Sequence, residues 1–73
     1  MHDIAEIENQ IRKGLTEAIQ QSGLTNTEIA KRVNVHVSNI TDYKKNTMPS
    51  LVNFCVLCKV LDVSADEILC LKD

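Results

Sequence analysis

The chain has no Trp, one Phe and one Tyr among its 73 residues. With so few aromatic rings, a groove in which exposed bases stack is not expected, which argues against a single-strand nucleic-acid binder. No apolar run approaches the roughly 20 residues needed to cross a bilayer, so no membrane span is expected. The amino end, MHDIAEIENQ, lacks the basic flank and apolar stretch of a secretion signal, so a cytoplasmic location is expected. Three cysteines, Cys55, Cys58 and Cys70, are an odd number in a chain without an export signal. Reduced thiols follow from that count more readily than a disulfide framework. No Ser/His/Asp or paired-carboxylate arrangement is legible, and so small a chain leaves little room for a buried pocket. Neither an enzyme nor a cofactor is expected.

What is present is enough apolar sequence for one small domain over residues 1–73, at 44% apolar and 25% charged residues. The net charge of −2 is unevenly spread. Residues 1–24 carry Arg12 and Lys13 against Asp3, Glu6, Glu8 and Glu17, and residues 48–73 carry Lys59 and Lys72 against Asp62, Asp66, Glu67 and Asp73, a net of −2 each. Between them Lys31, Arg32, Lys44 and Lys45 face Glu28 and Asp42, so the middle is +2. Four basic residues make a solvated surface or a phosphate-binding one, and the charge alone does not choose.

Apolar periodicity predicts five helices and no strand. Ile4, Ile7, Ile11, Leu15, Ala18 and Ile19 recur at steps of three and four, so a first helix is expected from Ile4 to about Gln21. Asp3 and Glu6 have the spacing of a reciprocal cap, and Ser22-Gly23 supplies a left-handed stop. Gly14, inside this helix, costs about 1 kcal/mol relative to Ala. Ser50 should cap a fourth helix over Leu51–Leu61, in which only Asn53 and Lys59 are polar; such a helix is expected to be covered on more than one side. Ser64 and Glu67 have capping-box spacing ahead of a short last helix with Ile68, Leu69 and Leu71, so the fourth and fifth helices occupy about 51–72.

The stretch LTNTEIAKRVNVHVSNITDYKK, Leu24 to Lys45, organises the rest. Thr25 and Glu28 form a capping-box pattern, and Leu24 and Ile29 have hydrophobic-staple spacing, so two features place one helix start. Ile29, Ala30 and Val33 make its inner face, and Asn34 tolerates a left-handed turn. A third helix then follows from about Val37 to Lys45, burying Val37, Ile40 and part of Tyr43. Ser38, Thr41, Asp42 and Lys45 fall at i, i+3, i+4 and i+7, a polar stripe turned away from Ile40. Any amphipathic surface helix has such a stripe. Asn46-Thr47-Met48-Pro49 closes the pair with a turn in which Asn46 can be left-handed.

From about Ile11 to Leu69 the chain resembles the Cro and phage-repressor, or Xre-type, helix-turn-helix family. The segments that carry the likeness are LTNTEIAKRVNV, similar to that family's Leu-Thr-x-x-Glu-Leu-Ala opening, and MPSLVNFCVLCKVLDVSADEIL, similar to its Pro-Ser-Leu helix and short acidic-capped last helix. The resemblance implies an all-α, compact five-helix, lambda-repressor-like domain that binds double-stranded DNA, with the helix-turn-helix at helices 2 and 3. It further implies that Val37, Ser38, Asn39, Thr41 and Asp42 face base edges in the major groove. Thr25, Asn26, Arg32, Lys44 and Lys45 are then the phosphate contacts. The chain departs from the pattern at Asn34, His36 and Val37. Where relatives pair an Arg in helix 1 with a Glu late in the recognition helix, this chain has Ile19 and Lys44.

Cys55 and Cys58 form a C-x-x-C pair that, with Cys70 and His2 or His36, gives the composition of a four-ligand zinc site. The pair lies inside a helix, however, and neither His has a fixed spacing to it. Core packing is the leading reading, with thiol redox sensing and metal binding as alternatives, and no metal is assigned. Val52, Val56 and Val60 step by four along a second face of helix 4, and Leu71 extends it; either the last helix covers this face or it forms a two-fold homodimer interface, the reading we favour. The functional expectation is a sequence-specific transcriptional regulator, a repressor, acting as a homodimer. The alternative is a protein-interaction module, such as the antitoxin of a toxin pair, with a small protein partner.

Overall fold

The computed structural model describes residues 3–69, which form five helices: α1 Ile4–Ser22, α2 Asn26–Val33, α3 Val37–Tyr43, α4 Leu51–Leu61 and α5 Ala65–Leu69. Among the described residues there is no strand, and no helix is long and apolar enough to cross a membrane. Helix α5 lies along α1, while α2 packs on both α3 and α4. Every helix contributes to one core, in which Leu15, Ile29, Ile40, Leu57 and Ile68 are the largest fully buried side chains. Each of the five helices supplies one of these residues to the core.

The helix starts follow the capping rules. Asp3 Oδ1 accepts from the Ala5 amide at 2.9 Å, one residue short of the Glu6 amide that a reciprocal box would use. Ser50 Oγ accepts from the Asn53 amide at 3.1 Å, and Ser64 Oγ from the Asp66 amide at 3.2 Å. The stops are left-handed residues: Gly23 at φ 76°, Asn34 at 65° and Asp62 at 55°. Asn46 is not among them, so the turn after α3 closes without left-handed backbone. Ser64 begins α5 as expected; Cys70, Leu71 and the end of the expected last helix lie outside the described residues, as does His2.

Two faces are more open than their apolar patterns suggest. Ile4 and Ile7 are exposed, because a 19-residue α1 reaches about 28 Å and its first turns run past the helices that cover Leu15 and Ile19. Helix α4 buries Phe54, Leu57, Cys58 and Leu61, leaving Leu51 84% and Val52 71% exposed and Cys55 exposed beside them. Val56 and Val60 are half-buried against the core.

Gly14 is where α1 meets α5. A Cβ there would lie 3.0 Å from the Ile68 carbonyl oxygen and 3.1 Å from its Cα, both backbone atoms that cannot swing aside. The residue that looks costly for helix formation is the one that lets α5 seat. Gly14→Ala is therefore expected to lower stability by about 1–3 kcal/mol through overpacking, despite an intrinsic helix gain of about 1 kcal/mol. Chemical denaturation of the two proteins measures this, and a net gain in stability would contradict the packing.

Candidate nucleic-acid interface

The second helix begins with a complete capping box. The Thr25 amide donates to Glu28 Oε1 at 3.1 Å and the Glu28 amide donates to Thr25 Oγ1 at 3.1 Å, while the Thr25 hydroxyl also donates to Glu28 Oε1 at 3.1 Å. Thr25 thus turns its donors inward. The first intrahelical bond runs from the Ile29 amide to the Thr25 carbonyl, 3.0 Å, so the amides of Asn26 and Thr27 precede the ladder and remain available at the positive end of the helix. Leu24 is half-buried against the core and Ile29 fully buried, the staple expected of their spacing.

The box also sets a charge. Hydrogen bonds from the Thr25 amide and hydroxyl hold the Glu28 carboxyl below its ordinary range, helped by Arg32 and Lys31 one turn on. A carboxyl whose pKa is lower folded than unfolded adds stability above its unfolded pKa, near 4.3, and loses it as pH falls through the folded value. Glu28→Gln should accordingly be less stable than the parent at neutral pH, with the difference shrinking as both are acidified toward pH 3. Thermal melts across that range test it; a gap that does not change with pH would show that the charge is not what the box holds.

Between α2 and α3 the chain turns on Asn34, with the Val35 amide donating to the Ala30 carbonyl at 3.0 Å. Ala30 is 4% exposed, small enough for α3 to cross closely over α2. His36 caps α3: its Nδ1 accepts from the Ser38 amide at 3.2 Å and lies 2.8 Å from Ser38 Oγ. Ile40 and Tyr43 are the buried residues of α3, and Val37, expected inside, is 37% exposed on the outer edge. Val37 is the first helical residue, so its side chain precedes the turn that packs on α2. Ser38 and Asn39 are exposed with it, and Thr41 and Asp42 are half-buried along the same helix. The five expected base-facing residues are thereby brought onto one short element.

Helix α3 ends two residues earlier than expected. After Tyr43 the bonding tightens: the Lys44 amide donates to the Thr41 carbonyl at 3.2 Å, and the Lys45, Asn46 and Thr47 amides all converge on the Asp42 carbonyl at 3.0, 2.9 and 3.1 Å. Bonds from i+3 to i wind the chain more tightly than the α-helical ladder does, so α3 closes in a turn. Lys44, half-buried, and Lys45, exposed, therefore stand in a turn beyond the end of α3. Arg32 is exposed in the last turn of α2.

Arg12 is a residue that sequence reasoning passed over. From α1 its Nη2 donates to the Asn46 carbonyl at 3.4 Å, a link between residues 34 apart, and its Nη1 donates to Asn9 Oδ1 at 3.2 Å. Its side chain is 19% exposed and approaches Glu8 at 3.9 Å. The turn that carries Lys44 and Lys45 is thus tied to α1. Nothing in the periodicity around Arg12 signals this, because its partner is a backbone atom. At the family's Arg–Glu positions, Ile19 is 4% exposed and fills the core, so no buried charge is left without a partner.

The C-x-x-C pair divides between environments. Cys58 is buried in the core, and burial, with Cys55 beside it, pushes its thiol pKa up; Cys55 faces outward. Among the described residues, no group of three His, Cys, Asp or Glu side chains could hold a metal ion.

Comparison with known proteins finds no similar curated protein and no similar solved structure. A family model described as helix-turn-helix matches residues 15–68, which takes in everything from Leu15 of α1 to Ile68 of α5. The closely crossed α2 and α3, the small residue between them and the exposed outer edge of α3 are the parts such a DNA-binding unit requires. The chain belongs to the Cro- and Xre-type helix-turn-helix family of DNA-binding regulators.

Proposed function

We propose that the protein is a sequence-specific repressor that binds double-stranded DNA as a homodimer, with α3 in the major groove. The observation that carries this is the division of α3: Ile40 and Tyr43 face the core while Val37, Ser38 and Asn39 face solvent, and two lysines stand in the turn at its far end. A helix of about 10–12 Å diameter fits a groove about 12 Å wide. Seven residues span about 10 Å, so contact is confined to a few base pairs per protomer. Val37 meets a thymine methyl, Ser38, Asn39 and Thr41 hydrogen-bond base edges, and Asp42 accepts from cytosine N4. Asn26 at the start of α2, with Arg32, Lys44 and Lys45, meets phosphates. Thr25 contributes by holding that helix start.

In the dimer the open side of α4 is the two-fold interface, formed by Val52, Val56 and Val60, and Leu71 is assigned to the same interface. Two recognition helices related this way lie about 34 Å apart on one side of the duplex. The exposure of Leu51 and Val52 equally suits a second reading, in which α4 grips a different small protein, as an antitoxin grips its toxin. Co-purification of a stoichiometric second protein would favour that reading. Selection of bound fragments from random duplex DNA tests the first. A palindromic site is expected, with Asp42→Ala altering base preference and Lys45→Ala weakening all sequences alike. Unchanged preference in Ser38→Ala and Asp42→Ala together would overturn the assigned docking face.

A further inference from the structure

A serine hydroxyl in the major groove is ordinarily ambidextrous, donating to guanine or thymine oxygens or accepting from adenine and cytosine amino groups. Ser38 is not left in that state. Its backbone N–H is only a donor, so the 3.2 Å contact from that amide to His36 Nδ1 makes Nδ1 the acceptor and puts the ring proton of the neutral imidazole on Nε2. With no proton on Nδ1, the 2.8 Å contact between Nδ1 and Ser38 Oγ is a bond in which the hydroxyl donates. One ring nitrogen therefore takes both donors of Ser38, and the oxygen keeps only its lone pairs for whatever approaches from outside. Both residues are exposed, so this pairing is held on the surface that α3 presents.

We infer that His36 is a specificity-determining positioning residue: by binding the Ser38 proton it makes Ser38 a pure acceptor, which selects an adenine or cytosine amino group at the base pair that Ser38 reads. This rests on the docking of α3 proposed above. His36 itself need not touch DNA, because the chemistry it supplies is delivered through Ser38. Asp42, one helical turn on, is also an acceptor, so the edge of α3 is biased toward bases that carry an amino group in the groove.

The test uses the whole chain, fragment selection from random duplex DNA at about pH 8, and the variants Ser38→Ala, His36→Ala and His36→Asn. The parent should favour A or C at one position per half-site by roughly fivefold, the size of one hydrogen bond. Ser38→Ala and His36→Ala should each flatten preference at that same position and leave the others intact, and the double variant should do no more than either single one. His36→Asn, whose side-chain oxygen can cap the helix and accept from Ser38, should restore the preference. A cap that only stabilises α3 would weaken every sequence equally and leave preference untouched, which overturns the inference. If Ser38→Ala shifts preference and His36→Ala does not, the inference fails while the docking stands; if the parent selects no sequence, both fall. Without DNA, the nitrogen chemical shifts of His36 should report the Nε2–H tautomer, and an Nδ1–H tautomer would refute the assignment.

Discussion

Ile40→Ala is expected to remove about 2–5 kcal/mol of stability, the usual cost of emptying a fully buried Leu or Ile site. The side chain has no exposed surface and sits in the core that α2 and α3 share. Against a total of about 4–11 kcal/mol for a chain of this length, that is enough to leave a sizeable fraction unfolded at physiological temperature. The core that Ile40 shares is otherwise closed: Ala30 is already small, and Ile29 and Leu57 are themselves fully buried. Denaturant titration should show a large fall in midpoint with an unchanged slope. A loss under about 1 kcal/mol would mean that α3 is not seated on α2 as described.

The second large effect is on affinity. Arg32, Lys44 and Lys45 supply three cationic side chains per protomer to the proposed phosphate contacts, so a dimer neutralises about six phosphates. The logarithm of the binding constant should then fall with the logarithm of salt at a slope near −5, a loss of about a thousandfold between 50 and 200 mM. Lys45→Ala, removing two of the six, should bring the slope to roughly −3.6 with little change in which sequence is preferred. A flat salt dependence would remove the phosphate contacts, and a parent slope near −2.7 would match a single protomer on the duplex.

Much of this fold was legible because its helix starts are written in local chemistry. Thr25 with Glu28, Leu24 with Ile29, and Ser50 ahead of Leu51 all act within five residues, and α2 and α4 begin where those patterns put them. The stop at Gly23 was legible for the same reason, whereas the left-handed Asp62 was not, since aspartate fits many other positions. What the sequence could not carry is anything decided by a distant partner. Gly14 reads as a helix defect until Ile68 is brought against it, and Arg12 reads as surface charge until the Asn46 carbonyl arrives. The end of α3 was misplaced because Lys44 and Lys45 are good helix formers, and the stop comes from three amides gathering on one carbonyl. Val37 reads as core because it stands three residues before Ile40, at helical spacing. The candidate docking face was legible as to which helix carries it, but not in how Ser38 is held, because a histidine cap has no familiar spacing rule.

The burial of Tyr43 has a practical consequence. It is the last residue of α3, 7% exposed, and the chain contains no other tyrosine and no tryptophan. Its ultraviolet emission has no indole to pass energy to and no second phenol to blur it. The intrinsic fluorescence of the unlabelled protein is therefore a single-site optical probe at the foot of the recognition helix, placed to register whether that helix is seated, in solution and on DNA alike.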